Sequence, residues 1–148
     1  MTHFVNGNWV TGTGPYIITK SPVDGKILFK KKQAERALIK KAIDGAKKAF
    51  EEWGSSPFSE RMEILLAFKD LLIEEKDALS AVISKETGKP LWESHQETQS
   101  MIEKILISQN AYRQRCRVIE VTVGETHIKT HFRPHGTLAV FGPFNFPG

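Results

Sequence analysis

Apolar and polar positions alternate in three different ways along the chain. From residue 4 to 29, short apolar runs are separated by turn signals: Phe4-Val5 before Asn6-Gly7, Trp9-Val10 before Gly12 and Gly14, Ile17-Ile18 before Ser21-Pro22, and Asp24-Gly25 ahead of Ile27-Leu28-Phe29. Asn-Gly and Asp-Gly between apolar stretches supply the positive φ that tight turns need, so this region predicts β-hairpins.

From Ala34 the period lengthens. Leu38, Ala42, Ala46, Ala49, Phe50 and Trp53 recur every three or four residues and predict a helix with a core-facing stripe. Gly54-Ser55-Ser56-Pro57 breaks it, and either Ser56 or Ser59 could cap the next helix. Met62, Leu65, Leu66, Leu72, Ile73, Leu79, Val82 and Ile83 carry the helical period on to about Lys85, with an interruption expected in the charged stretch Glu74 to Asp77. Gly88 and Pro90 then stop it, because glycine tolerates a left-handed C-terminal residue and proline cannot continue the ladder. A further helix is expected from about Leu91 to Arg115, with Thr98, Met101, Ile102, Ile105, Gln109, Tyr112 and Cys116 near one side.

After Cys116 the period drops to two. Ile119, Val121 and Val123 alternate with polar residues, Gly124-Glu125 turns, and Thr126 to Phe132 returns as a second strand of a solvent-facing hairpin. Thr137 to Phe141 is a continuous apolar run bounded by glycines, which suits a strand buried on both faces of a parallel sheet. The fold class expected for residues 1–148 is therefore α+β: N-terminal β-hairpins, three or four helices, another hairpin and one sheet strand, read as a single block without repeats or linkers.

Composition narrows the class. With 40% hydrophobic and 26% charged residues the chain lies in the globular range. The net charge of +4 and the run Lys30-Lys31-Lys32 raise a nucleic-acid surface as an alternative, but Lys40, Lys41, Lys47 and Lys48 fall on the water-facing side of a helix, so no nucleic-acid partner is expected. The lone cysteine, Cys116, cannot form an internal disulfide, and the N-terminus lacks a signal peptide pattern. No apolar run reaches bilayer-spanning length, so a cytoplasmic protein without a membrane partner is expected.

Candidate chemistry is sparse. His127, His131 and His135 would share a helical face, but Thr130, Phe132, Pro134 and Gly136 argue for strand and turn, so no metal is expected. Cys116 sits at a helix end where the dipole raises a thiol's pKa, which favours a packing role. The chain contains no Gly-rich dinucleotide fingerprint, Walker motif or nucleophile elbow. Phe141-Gly142-Pro143-Phe144-Asn145-Phe146-Pro147-Gly148 is the exception, since it follows a sheet strand at the end where α/β folds bind ligands. Asn145 there could donate a hydrogen bond to a developing oxyanion or could tie up turn backbone.

These motifs, in their order, resemble the aldehyde dehydrogenase superfamily over nearly the whole chain. Phe4-Val5-Asn6-Gly7-Asn8-Trp9 is similar to the family's "F-I-N-G-x-W", and Ser21 to Lys26 to its "N-P-x-T/D-G-x", with Ser21 in place of the usual Asn. Ala46 to Trp53, Arg61 and Glu86-Thr87-Gly88-Lys89-Pro90 are similar to "A-F-x-x-W", "E-R" and "E-T-G-K-P". Arg133 to Gly148 is the most specific piece, similar to "P-x-G-V-x-x-x-I-x-P-W-N-F-P", with Phe144 where many members have Trp. The last piece, with "E-T-G-K-P-L-W-E" and "M-I-E-K-I", most resembles the branch that oxidises N-succinylglutamate 5-semialdehyde with NAD in arginine catabolism.

The resemblance implies an α/β, oligomeric intact enzyme of which this chain is the N-terminal part. A cysteine nucleophile and a glutamate base would lie beyond Gly148, so the 148-residue piece alone would be inactive. It implies that Asn145 supplies the side-chain half of an oxyanion hole, that Phe141, Gly142, Pro143 and Phe144 run past the cofactor, and that Phe146 borders the aldehyde pocket. Residues 137–148 would begin the NAD-binding and active-site region, with NADP not excluded. Met101 would line the substrate tunnel, with Lys104 or Ile105 one turn on, and residues 118–133 would be the oligomerisation hairpin. Two alternatives stand beside this reading: a non-catalytic interaction module on the same framework, and a dehydrogenase of another semialdehyde.

Overall fold

The structure, a computed structural model, describes residues 2–148. Two hairpins come first, β1 (His3–Val5) with β2 (Asn8–Val10) and β3 (Tyr16–Lys20) with β4 (Ile27–Lys32). Four helices follow, α1 (Arg36–Trp53), α2 (Phe58–Glu74), α3 (Lys76–Thr87) and α4 (Leu91–Arg115), and then the hairpin β5 (Ile119–Val123) and β6 (Thr126–Thr130). The strands form three separate two-stranded antiparallel sheets. In the first turn Asn6 and Gly7 both have positive φ, 51° and 77°, as a two-residue hairpin of this twist requires.

The helices pack where their apolar stripes meet. Met62 and Leu72 of α2, Ile83 of α3 and Ile102 of α4 are buried. Between α3 and α4 the contact is made by small polar residues. Ser80, Ser94 and Thr98 are fully buried, and Ser80 Oγ lies 2.9 Å from Thr98 Oγ1. Short side chains let the two backbones approach; the Ser80 and Thr98 hydroxyls are satisfied by each other and by the carbonyls of Lys76 and Ser94, and the Ser94 hydroxyl by that of Pro90. Gly88 ends α3 with φ 76°, a conformation that a side chain would strain. Phe58 stacks on Tyr112 with centroids 4.4 Å apart, joining the start of α2 to the last turns of α4.

Three sequence expectations meet a different outcome, and a fourth holds. The α1 stripe is not covered: α1 buries no residue, Leu38, Ala42 and Phe50 are half-buried, and Trp53 is exposed. Its neighbour is the small first hairpin, so close that a Cβ on Gly45 would meet the Asn6 side chain. Neither Ser56 nor Ser59 caps α2, because Pro57 holds the cap position without a side-chain bond and Ser56 Oγ donates back to the Trp53 carbonyl. The run 137–141 forms no strand, and Leu138, Val140 and Phe141 stand 74%, 88% and 92% exposed. A strand needs a neighbour for its backbone, and none of the described strands lies beside this run. The interruption in the second helical stretch is real: Glu75, at φ −90° and ψ 10°, divides α2 from α3.

The exposed area is 11667 Å². A compact monomer of the same mass exposes roughly 7,600 Å². Large apolar side chains stand exposed on both N-terminal hairpins, on α1, on α2 and α4, on the β5–β6 hairpin and in the tail from Leu138.

Candidate functional site

Helix α4 organises the site. Its side toward α2 bears Met101, Lys104, Ile105 and Gln109, which with Trp53, Phe58, Arg61, Leu65, Phe68 and Tyr112 line a cavity of about 660 Å³. Met101 is half-buried and Lys104 exposed, as expected of a residue at a groove wall and one at its mouth. The walls are mostly apolar, and Arg61 and Lys104 are the charged residues among them. The Arg61 guanidinium also donates to the Ser56 carbonyl, which fixes it at the start of α2.

The segment 141–148 returns to the far end of this cavity, where Gly148 joins its lining. Phe144 and Asn145 form a turn, and Phe141, Gly142, Pro143, Phe144 and Asn145 are all exposed. Phe146 does not line the cavity; its ring lies beneath the Lys89 ammonium, 4.0 Å from centroid to Nζ. Lys89 donates to Glu97 Oε2 at 2.6 Å, and Glu97 Oε1 accepts the Gly148 N–H at 2.8 Å. The structure thus brings Met101 and Lys104 together in one groove, with Gly148, three residues past Asn145, in the same lining.

Glu97 and the role of Lys89 escape a reading of motifs. A signal for Glu97 existed: it falls between Ser94 and Thr98 and one turn before Met101, an acid within the buried stripe of α4. An ionised carboxylate is kept there only with partners.

Among the described residues no three His, Cys, Asp or Glu side chains gather as a metal site. His127 Nδ1 lies 3.0 Å from Thr122 Oγ1 across the hairpin, and Arg133 donates to His131. Lys30 and Lys32 lie over the Tyr16 ring. Cys116 is half-buried at the end of α4. Three carboxyls are held below the ordinary range at the N-terminal end: Asp24 by Lys26, Glu35 by the Thr13 backbone N–H, and Asp44 by Lys40. No helix among the described residues is long and apolar enough to cross a membrane.

The sequence model of the aldehyde dehydrogenase family matches residues 9–148. The N-succinylglutamate 5-semialdehyde dehydrogenase of Photorhabdus laumondii is 42% identical over 146 residues, 99% of this chain and 30% of that protein. The chain therefore spans about three-tenths of the length of such relatives. Among solved structures, a NAD-dependent benzaldehyde dehydrogenase from Corynebacterium glutamicum superposes with TM-score 0.74 at 25% identity, over 82% of this chain and 27% of that one. An NADP-dependent glyceraldehyde-3-phosphate dehydrogenase from Bacillus halodurans gives 0.74 at 27% identity, over 83% and 26%.

Proposed function

Because the chain belongs to the aldehyde dehydrogenase family, we propose that it is the N-terminal part of an enzyme that oxidises N-succinylglutamate 5-semialdehyde to N-succinylglutamate in arginine catabolism. The observation that carries the substrate class is the groove between α2 and α4, mostly apolar, with Arg61 and Lys104 as its charged residues and no acid among its lining. An apolar slot with cations suits an aldehyde that bears carboxylates several bonds from its reacting carbon. The 42% identity to a dehydrogenase of that name supports the same choice.

Asn145 is the residue of this chain that would meet the reacting atoms. Its amide N–H would donate to the carbonyl oxygen as negative charge builds there, a contact that strengthens toward the transition state and so accelerates the step. Met101 would bound the aldehyde pocket and Lys104 would hold a distal carboxylate, while Phe146, held under Lys89, would stand beside the pocket rather than in its wall. Phe141 and Phe144, both exposed, with Gly142 and Pro143 between them, would run past a nicotinamide cofactor, NAD or NADP, and this stretch carries no Gly-rich phosphate cradle. Such a cofactor supplies a hydride acceptor. The nucleophile and the hydrolytic base would come from outside these residues, so the 148-residue piece alone forms no acid product. Residues 118–133 would pair with a second copy in a homo-oligomer, and residues 137–148 would open the cofactor region. A single free cysteine fits a reducing cytoplasm.

The test is to purify the complete product of the gene and follow reduced nicotinamide formation with three aldehydes. The expected result is the highest kcat/KM with N-succinylglutamate 5-semialdehyde. Preference for succinate semialdehyde or glutamate 5-semialdehyde would overturn the substrate, and no reduced cofactor with any of them would leave a non-catalytic interaction module.

A further inference from the structure

We propose that Glu97 is a positioning residue for Asn145, holding the turn that bears it against helix α4; this rests on Asn145 acting as the oxyanion donor. Glu97 is deeply buried, its side chain 5% exposed, and both carboxylate oxygens are in use. Oε1 accepts the backbone N–H of Gly148, three residues past Asn145, at 2.8 Å. Oε2 accepts Lys89 Nζ at 2.6 Å. The same ammonium lies 4.0 Å from the centroid of the Phe146 ring, the residue next to Asn145. One carboxylate thus reaches the segment twice, directly through Gly148 and through Lys89 to Phe146.

The rest of the segment has little to hold it. Phe141 and Phe144 are 92% and 93% exposed, and Asn145 itself is exposed. An oxyanion donor works only if it is already aimed when charge develops, because a donor that must first be ordered loses much of its effect. Taking a carboxylate and an ammonium out of water is costly, and the pair persists where its geometry is complete, as it is here. Gly148 fits tightly at the junction, since a Cβ there would lie 2.6 Å from Met101 Sδ and 3.1 Å from Glu97 Oε1. Met101 lies one turn beyond Glu97 on α4, so the helix that walls the groove also fixes the turn.

The test uses the complete gene product and a double-mutant cycle. Glu97→Gln keeps the volume, but its single amide oxygen can accept from only one of the two donors. The expected result is a fall in kcat of about tenfold with KM changed less than about twofold, since misplacing a reacting group by an ångström or less costs rate rather than binding. In an Asn145→Ala background the same substitution should cost nothing more, because Glu97 acts through the missing amide. Lys89→Met, which keeps the Gly148 bond, should show the same non-additivity with a smaller loss, and it serves if Glu97→Gln does not fold. Equal losses in both backgrounds, or a rise in KM with kcat intact, would overturn the proposal. If Asn145→Ala lowers kcat while Glu97→Gln and Lys89→Met leave it untouched, the positioning role alone fails; if Asn145→Ala is itself silent, the oxyanion reading fails and takes this one with it.

Discussion

Urea unfolding of the 148-residue chain puts a magnitude on its uncovered surface. The unfolded chain exposes about 24,000 Å², and a compact fold of its 16.7 kDa roughly 7,600 Å². With 11667 Å² exposed in the structure, folding removes about three-quarters of the area that a compact monomer of equal mass would remove. The slope of stability against denaturant scales with that area, so the m-value should be about three-quarters of that of a compact domain of equal length. The assay is far-ultraviolet circular dichroism across a urea series, with a compact domain of matched length as control and a hydrophobic dye reporting exposed apolar surface. An m-value equal to the control's, with no dye bound, would refute the reasoning, because the α1 stripe and the hairpin would then have to pack within the chain.

Three further outcomes are expected. Ile102→Ala, at a position of α4 only 4% exposed, should lower stability by about 2–5 kcal/mol; a loss under about 0.5 kcal/mol, within the range of surface changes, would mean that α4 does not share a core with α2 and α3. Val121→Lys puts a charge on the face of the β5–β6 hairpin formed by Ile119, Val121, Val123 and Ile128, while Glu120 pairs with Lys129 on the other face at 2.8 Å. If residues 118–133 join copies, light scattering of the complete protein should show a smaller assembly for this variant, and an unchanged mass would sink that role. Glu35 is held below its ordinary value of 4.5, chiefly by the Thr13 N–H. A depressed carboxyl contributes stability that is present above the ordinary value and lost as pH falls through the lowered one. The stability advantage of the native chain over Glu35→Gln should therefore shrink on acidification past 4.5, and an advantage constant with pH would show that this hydrogen bond does not carry it.

What the sequence made legible was local. The Asn6-Gly7 turn, the Gly88 stop and the register of Val121 against Ile128 follow from backbone conformation and alternation within a few residues. The break at Glu75 was marked by the charges around it. What stayed hidden depends on distant neighbours. Whether Ala46, Ala49 and Trp53 are covered is decided by what lies over α1, and whether 137–141 is a strand by what lies beside it. Glu97 finds its partners 8 and 51 residues away, at separations that periodicity does not reach. Asn145 and Phe146 were legible as residues with a resemblance, while the placement of Phe146 under Lys89 was not.

The uncovered apolar run ahead of Asn145 bears on the order in which the molecule matures. Helices α2, α3 and α4 draw their contacts from residues close in sequence and can assemble early, groove included. The run from Thr137 to Phe141 has no described strand beside it, so the turn that bears Asn145 is tied to the fold from its far side, at Phe146 and Gly148. On the function proposed here, a partly folded molecule therefore has a place for an aldehyde before Gly148 closes on Glu97 and aims the donor. It would shelter the substrate without committing it to reaction, and reactivity would arrive as the last event of folding.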